Sequence, residues 1–121
     1  MGNKKLVYIA YPYRAKTRRG IRKNIKKACQ YGKLAYAQGY IPLIPHINSS
    51  PLFGLMGGDD SKITEYDLYL LSACKCLWLC GSTISKGMET ERDFATRAGI
   101  PIKYVGMPIP HTKVLPSSTL R

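Results

Sequence analysis

No run of 18 or more apolar residues occurs in this chain, so no segment reads as a membrane-crossing helix. The apolar core and cleavage site of a secretory signal are also missing. The first residues, Met1-Gly-Asn-Lys-Lys-Leu-Val-Tyr-Ile-Ala10, pass straight into a strand pattern. The expectation is a cytoplasmic protein with reduced thiols and no membrane partner. Neither a G-x-G-x-x-G turn nor a Walker loop is present, which removes the two strongest sequence signatures for dinucleotide and triphosphate sites. Cys29, Cys74, Cys76 and Cys80 are the only cysteines, and none of them forms a C-x-x-C pair. Cys76-Leu-Trp-Leu-Cys80 reads instead as a buried strand with cysteine as a small apolar filler. No metal and no cofactor are expected. Internal repeats and linkers are absent as well.

Acidic residues are scarce. Seven stand against 19 lysines and arginines, a net charge of +12. Basic residues cluster at Arg14, Lys16, Arg18, Arg19, Arg22, Lys23, Lys26 and Lys27. Such a cluster points to an anionic partner, or it forms the solvated face of a helix and its entry loop. Arg14, Arg18 and Arg19 differ from the rest because they lie where a first strand hands over to a first helix.

The 121 residues, 45% of them hydrophobic, suit a single domain with one core. Leu6–Ala10 is a nearly continuous apolar run, as in a strand buried on both faces. Helical spacing follows from about Arg18 to Gln38, with Ile21, Ile25, Ala28, Cys29, Gly32, Ala35 and Tyr36 as its apolar stripe. Tyr40–His46 reads as a second strand, and its two prolines suggest an edge position. Asn48–Asp60 reads as a binding loop or lid. Ser61–Ala73 is helical, with Ile63, either Tyr66 or Asp67, Leu70, Leu71 and Cys74 facing inward. Lys75–Cys80 is a third strand, Ser85–Ala98 a third helix and Ile100–Val105 a fourth strand. The order predicts a Rossmann-like α/β domain over residues 1–106, with a parallel sheet of four to five strands, flavodoxin-like order, and helices on both faces. Residues 107–121 form a proline-containing tail that reads as extended.

Ligands of such sheets bind outside the carboxyl ends of the strands. That rule gathers three motifs at one rim. The first is Ala10-Tyr-Pro-Tyr-Arg14, where Tyr11 and Tyr13 are placed to stack on a base or bond a sugar, Pro12 turns the chain, and Arg14 grips an anion. The alternative is a proline turn with exposed aromatics. The second is Pro45-His-Ile-Asn-Ser-Ser50, where His46 is a candidate proton shuttle and Asn48 a candidate hydroxyl contact; both residue types also serve strand ends and turns. The third is Gly81-Ser82 through Glu91. Ser85 is placed as the helix N-cap, and Gly87 lets a ligand approach the first turn. On that helix Met88, Glu91, Ala95 and Ala98 share one face. A carboxylate there is either paired or working, whereas Glu89 lies toward solvent with Asp93.

Taken together, Tyr8-Ile-Ala-Tyr-Pro-Tyr-Arg14, Gly39-Tyr-Ile-Pro-Leu-Ile-Pro-His46, Leu77-Trp-Leu-Cys-Gly81 and Ser85-Lys-Gly-Met-Glu-Thr-Glu91, with Ala95, Ala98 and Gly99-Ile-Pro101, resemble the nucleoside 2-deoxyribosyltransferase-like superfamily. Within it they resemble a subgroup of short proteins common in phages and prophages. The resemblance covers about residues 6 to 105. It implies that Glu91, four residues after Gly87 and eight before Gly99, is a nucleophile toward the anomeric carbon of a nucleoside. It implies that Tyr8 or Tyr11 holds the nucleophile or the sugar, with Tyr11 expected as catalytic and Tyr8 as substrate-binding. It further implies substrate contacts from Pro12, Tyr13, Arg14, Arg18, Arg19, His46, Asn48, Gly81, Ser82, Ser85, Gly87 and Met88, and a homo-oligomer.

The chain departs from the transferase pattern at Ser85, where the family places an acid, and at Lys75, where the subgroup carries Asp. Asp67 is the remaining candidate for a second carboxylate. The expected function is an N-glycosidic enzyme, a deoxyribosyltransferase or nucleotide hydrolase. One alternative is a phage protein that sequesters a nucleotide signal of host defence. Another is a nucleic-acid-binding module built on the basic helix, although no aromatics are interleaved with its charges.

Overall fold

The computed structural model describes residues 4–55 and 60–106. Strands β1 (Leu6–Ala10), β2 (Ile41–Leu43), β3 (Cys76–Cys80) and β4 (Ile102–Val105) form one parallel sheet in the order β2-β1-β3-β4. Helices α1 (Arg18–Ala37), α2 (Pro45–Asn48), α3 (Ser50–Leu55), α4 (Asp60–Ser72) and α5 (Lys86–Ala98) connect them. The expected α/β class, strand order and two-sided covering are what the chain adopts. No helix among the described residues is long and apolar enough to cross a membrane.

Period-2 alternation sends neighbouring strand residues to opposite faces, and here both faces are buried. Tyr8, Ala10, Leu77 and Leu79 pack with Leu71 of α4 and with Met88 and Ala95 of α5. Val7, Ile9, Trp78 and Cys80 pack on the other side with Ala35 of α1. The central strands therefore read as apolar throughout. Gly32 brings α1 close to the sheet, since a Cβ there would meet Ile44 Cδ1 at 2.6 Å. Burial pushes the Cys74 thiol up to about 11 and the Cys80 thiol up to about 12, so both stay protonated fillers at neutral pH.

Four expectations need correction. The second strand ends at Leu43, because Ile44 is extended before Pro45 and Pro45 opens α2 as its first residue. His46 thus stands on a helical turn rather than at a strand end. The expected loop is largely helical: α3 covers Ser50–Leu55 and α4 begins at Asp60, while residues 56–59 lie outside the described residues, as does the tail 107–121. Tyr36 is 63% exposed, because α1 turns it past the stripe that Ala28, Gly32 and Ala35 bury. Ala98, in the last turn of α5, is exposed too, since the sheet contact ends with Ala95. The edge position of β2 holds, with Pro42 opposite Val7.

Candidate functional site

The strand order reverses between β1 and β3, and a cleft of about 330 Å³ opens beyond their carboxyl ends. Its lining comes from the β1–α1 loop, α2, α4 and the N-terminal turns of α5. Each element has a local reason to be there. Ser85 is extended, and its Oγ accepts from Met88 N at 3.2 Å, so α5 starts at Lys86. Met88 is 2% exposed, and its Sδ accepts from Ser85 N at 3.4 Å, which closes the cap. Glu91 follows one turn later on the same face. At the other end, Gly99 takes the left-handed conformation that stops α5.

Tyr8 is fully buried on β1, and its phenol reaches under α5 to donate to Glu91 Oε2 at 2.5 Å. Burial, then the Glu91 and Asp67 charges, hold the Tyr8 phenol well above 10, so it remains a donor. Burial also raises the Glu91 carboxyl from 4.5 to about 7; the Tyr8 hydrogen bond lowers it and the Asp67 charge raises it. Asp67 on α4 is the second carboxylate. Burial raises it as well, against the hydrogen bond it accepts from Ser49 Oγ at 2.6 Å. Ser49 is fully buried at the α2–α3 corner, and its Oγ also lies 3.1 Å from Pro45 O. The site therefore holds two half-buried carboxyl groups, one bound by a phenol and one by a serine.

His46 is 5% exposed, and its Nε2 donates to Pro12 O at 3.1 Å. A carbonyl only accepts, so Nε2 carries the proton. Burial holds the imidazole below its ordinary range, leaving it neutral at pH 7. Tyr13 meets the His46 ring edge-on at 5.1 Å, and Asn24 Nδ2 donates to Tyr13 O at 3.0 Å. His46 thereby fastens the first-strand loop over α2 and forms part of the cleft wall.

The structure sorts the expected site residues. Tyr11, Pro12, Tyr13, Arg14, His46, Ser85, Gly87, Met88 and Glu91 line the cleft together. Tyr8 lies beneath it and holds the carboxylate. Of the two tyrosines, it is Tyr8 whose hydroxyl meets Glu91. Tyr11 packs on Tyr31, with ring centroids 5.8 Å apart. Asn48 is outside the lining, because its Oδ1 accepts from Ile44 N at 2.8 Å and closes the turn of α2. Arg18 and Arg19 are exposed in the first turn of α1, and Ser82 is exposed; none of the three lines the cleft.

Gly81 is also absent from the lining. It has φ +97°, and a Cβ would come 2.7 Å from Tyr11 Cε1. It makes room for the Tyr11 wall. Gly81→Ala is expected to cost about 1–3 kcal/mol from backbone strain alone, read as a lower urea midpoint. An unchanged midpoint contradicts this reading.

Helical spacing admitted Tyr66 or Asp67 equally, so Asp67 was legible only as a candidate second carboxylate. The usable signal was the acid missing at Ser85. Tyr66 instead meets Phe53, with ring centroids 5.2 Å apart. Ser49 belonged to the second rim motif as a hydroxyl-contact or turn residue, and nothing in the sequence tied it to Asp67.

A cleft at the strand-order reversal, with a phenol-held carboxylate in its floor, is a feature of residues 5 to 105 as a unit. A search of curated proteins gives no match for the chain. The same span does match one protein family: the chain belongs to the family described as Domain of unknown function (DUF7768), over residues 5–105.

Proposed function

We infer that this protein is an N-glycosidic enzyme acting on a nucleoside or nucleotide, with Glu91 as nucleophile. The observation that carries this reading is the Tyr8–Glu91 hydrogen bond at the base of a cleft that Asp67 also enters. A carboxylate that attacks carbon has to be ionised, oriented and poorly solvated. Tyr8 favours the ionised form and fixes Oε2, leaving Oε1 to attack. Partial burial thins the water around the carboxylate.

The step balances with the residues present. Glu91 Oε1 forms a bond to the anomeric carbon while the carbon–nitrogen bond to the base breaks. The electron pair of that bond goes to the base nitrogen, and a proton from Asp67 neutralises it. Water then attacks the same carbon, its proton returns to Asp67, and Glu91 leaves as carboxylate. A second base in place of water gives transfer rather than hydrolysis. Tyr11 and Tyr13 supply aromatic faces for the base. Arg14 and Lys86 at the cleft suit a 5′-phosphate, aided by the N-terminus of α5.

The test is product analysis on deoxynucleosides and their 5′-monophosphates. Free base, or a new nucleoside when a second base is supplied, is the expected product. Tight binding by calorimetry with the ligand recovered intact replaces this reading with that of a non-catalytic binder.

A further inference from the structure

The first 58 residues contain no aspartate or glutamate; all seven acids fall between Asp59 and Asp93. The same stretch holds 11 lysines and arginines. On α1, Arg18, Arg19, Arg22, Lys23, Lys26, Lys27 and Lys33 are all exposed. They form two adjoining rows at i, i+4 spacing, Arg18-Arg22-Lys26 and Arg19-Lys23-Lys27.

This arrangement works against the helix that carries it. Like charges at i, i+4 repel. Arg18 and Arg19 stand in the first turn, at the positive end of the helix dipole, and that turn has no acidic residue. A solvated face without a task intersperses both signs. Here the local rule is broken in one direction along the whole exposed face, which is how functional surfaces depart from local consistency. The rows run from the loop that lines the cleft, where Arg14 and Tyr13 stand, outward along α1. From Arg18 to Lys33 the helix advances about 22 Å.

We propose that the outer face of α1 binds the phosphate backbone of a single-stranded nucleic acid and leads an unpaired nucleotide of that strand into the cleft. A polyanion relieves the repulsion within each row and answers the dipole. A single strand is favoured because the cleft admits a base only when it is unstacked. Tyr13, 36% exposed at the junction of cleft and rows, offers that base a ring. An anionic membrane fits less well: α1 buries Ala28, Gly32 and Ala35 against the sheet, and its exposed Leu34 and Tyr36 lie in its last turns, away from the two basic rows. The backbone contact stands by itself, whereas the entry of a nucleotide rests on the glycosidic reading of the cleft.

The experiment measures fluorescence anisotropy of a labelled 20-residue oligothymidylate with the full chain. With about five phosphates engaged, affinity falls about 100-fold between 50 and 200 mM KCl. Arg22→Glu with Lys23→Glu removes two contacts and is expected to weaken binding about 25-fold at 100 mM, with a shallower salt slope. The same change turns both rows into alternating charges, so the melting temperature does not fall. Loss of binding is then separated from loss of fold. Handling of a free deoxynucleoside monophosphate stays as in the wild type.

The α1 surface is overturned by salt-independent binding, by no binding at 50 mM, or by a variant that binds as the wild type does. It is also overturned by tighter binding to phosphatidylcholine/phosphatidylserine vesicles, and equal affinity for a duplex overturns the single-strand preference. Base release from the monophosphate but not from the oligothymidylate overturns nucleotide entry. Base release from neither overturns the glycosidic reading and leaves the α1 surface decided by the anisotropy alone.

Discussion

Glu91→Gln is expected to stop base release by at least about 10⁴-fold while making the protein more stable at alkaline pH. The two effects have one cause. Burial raises the Glu91 carboxyl from 4.5 to about 7, so folding opposes its ionisation. A group raised in this way leaves stability intact below its unfolded value, near pH 4.5. Stability then declines as pH rises through 7 and is flat above. The shift of about 2.5 units sets a ceiling of about 3 kcal/mol, because each unit is worth about 1.4 kcal/mol. Glutamine keeps an oxygen to accept from Tyr8 and cannot ionise, so it escapes that decline. Urea unfolding of both proteins at pH 4 and pH 8 decides the matter. Equal stability at pH 4 and a gain on the order of 2 kcal/mol for the variant at pH 8 are expected. A variant less stable at pH 8, or one that still releases base, contradicts the assignment of Glu91.

Tyr8→Phe has the second largest effect, and its diagnostic is the pH profile. The nucleophile acts as carboxylate and Asp67 as acid, so kcat/KM rises as Glu91 ionises near 7 and falls where Asp67 gives up its proton. Tyr8 donates to the charged form and lowers the Glu91 value, so its loss moves the rising limb to higher pH. Above pH 7 it also leaves a desolvated carboxylate one donor short, at about 1–3 kcal/mol of stability. A fall of about 10²-fold in kcat/KM at pH 7 is expected, shrinking as pH rises. Asp67→Asn lowers the rate, since the proton donor to the base is gone, and removes the falling limb, because asparagine has no proton to give up. A rising limb that stays fixed in Tyr8→Phe, or a falling limb kept in Asp67→Asn, dissociates Tyr8 or Asp67 from the reaction.

This cluster joins three elements far apart in the chain. Tyr8 and Glu91 meet because β1 lies beside β3 and α5 packs over the pair. Asp67 joins them because α4 packs on the same face of the sheet as α5. The cleft is polarised, with carboxyl groups in its depth and Arg14 and Lys86 among its other lining residues. That polarity suits a sugar reacting below and a phosphate held above.

The sequence by itself determined the α/β order, the buried central strands, the Ser85 cap and the inward position of Glu91. Each of these is local: periods of two and 3.6, a capping side chain, and a glycine stop act within one turn or strand. Local spacing could not choose between Tyr8 and Tyr11, or between Tyr66 and Asp67, because both members of each pair satisfy it. The choice came from the crossing of α4 and α5 over β1, which aims Tyr8 and Asp67 at Glu91 and leaves Tyr11 against Gly81. Proline misled in a similar way. Pro45 reads as an edge-strand residue in one dimension and starts a helix in three. What only the tertiary structure decided was which carboxylate, which phenol and which serine share one desolvated volume, since burial and charge coupling depend on distance through space and not along the chain.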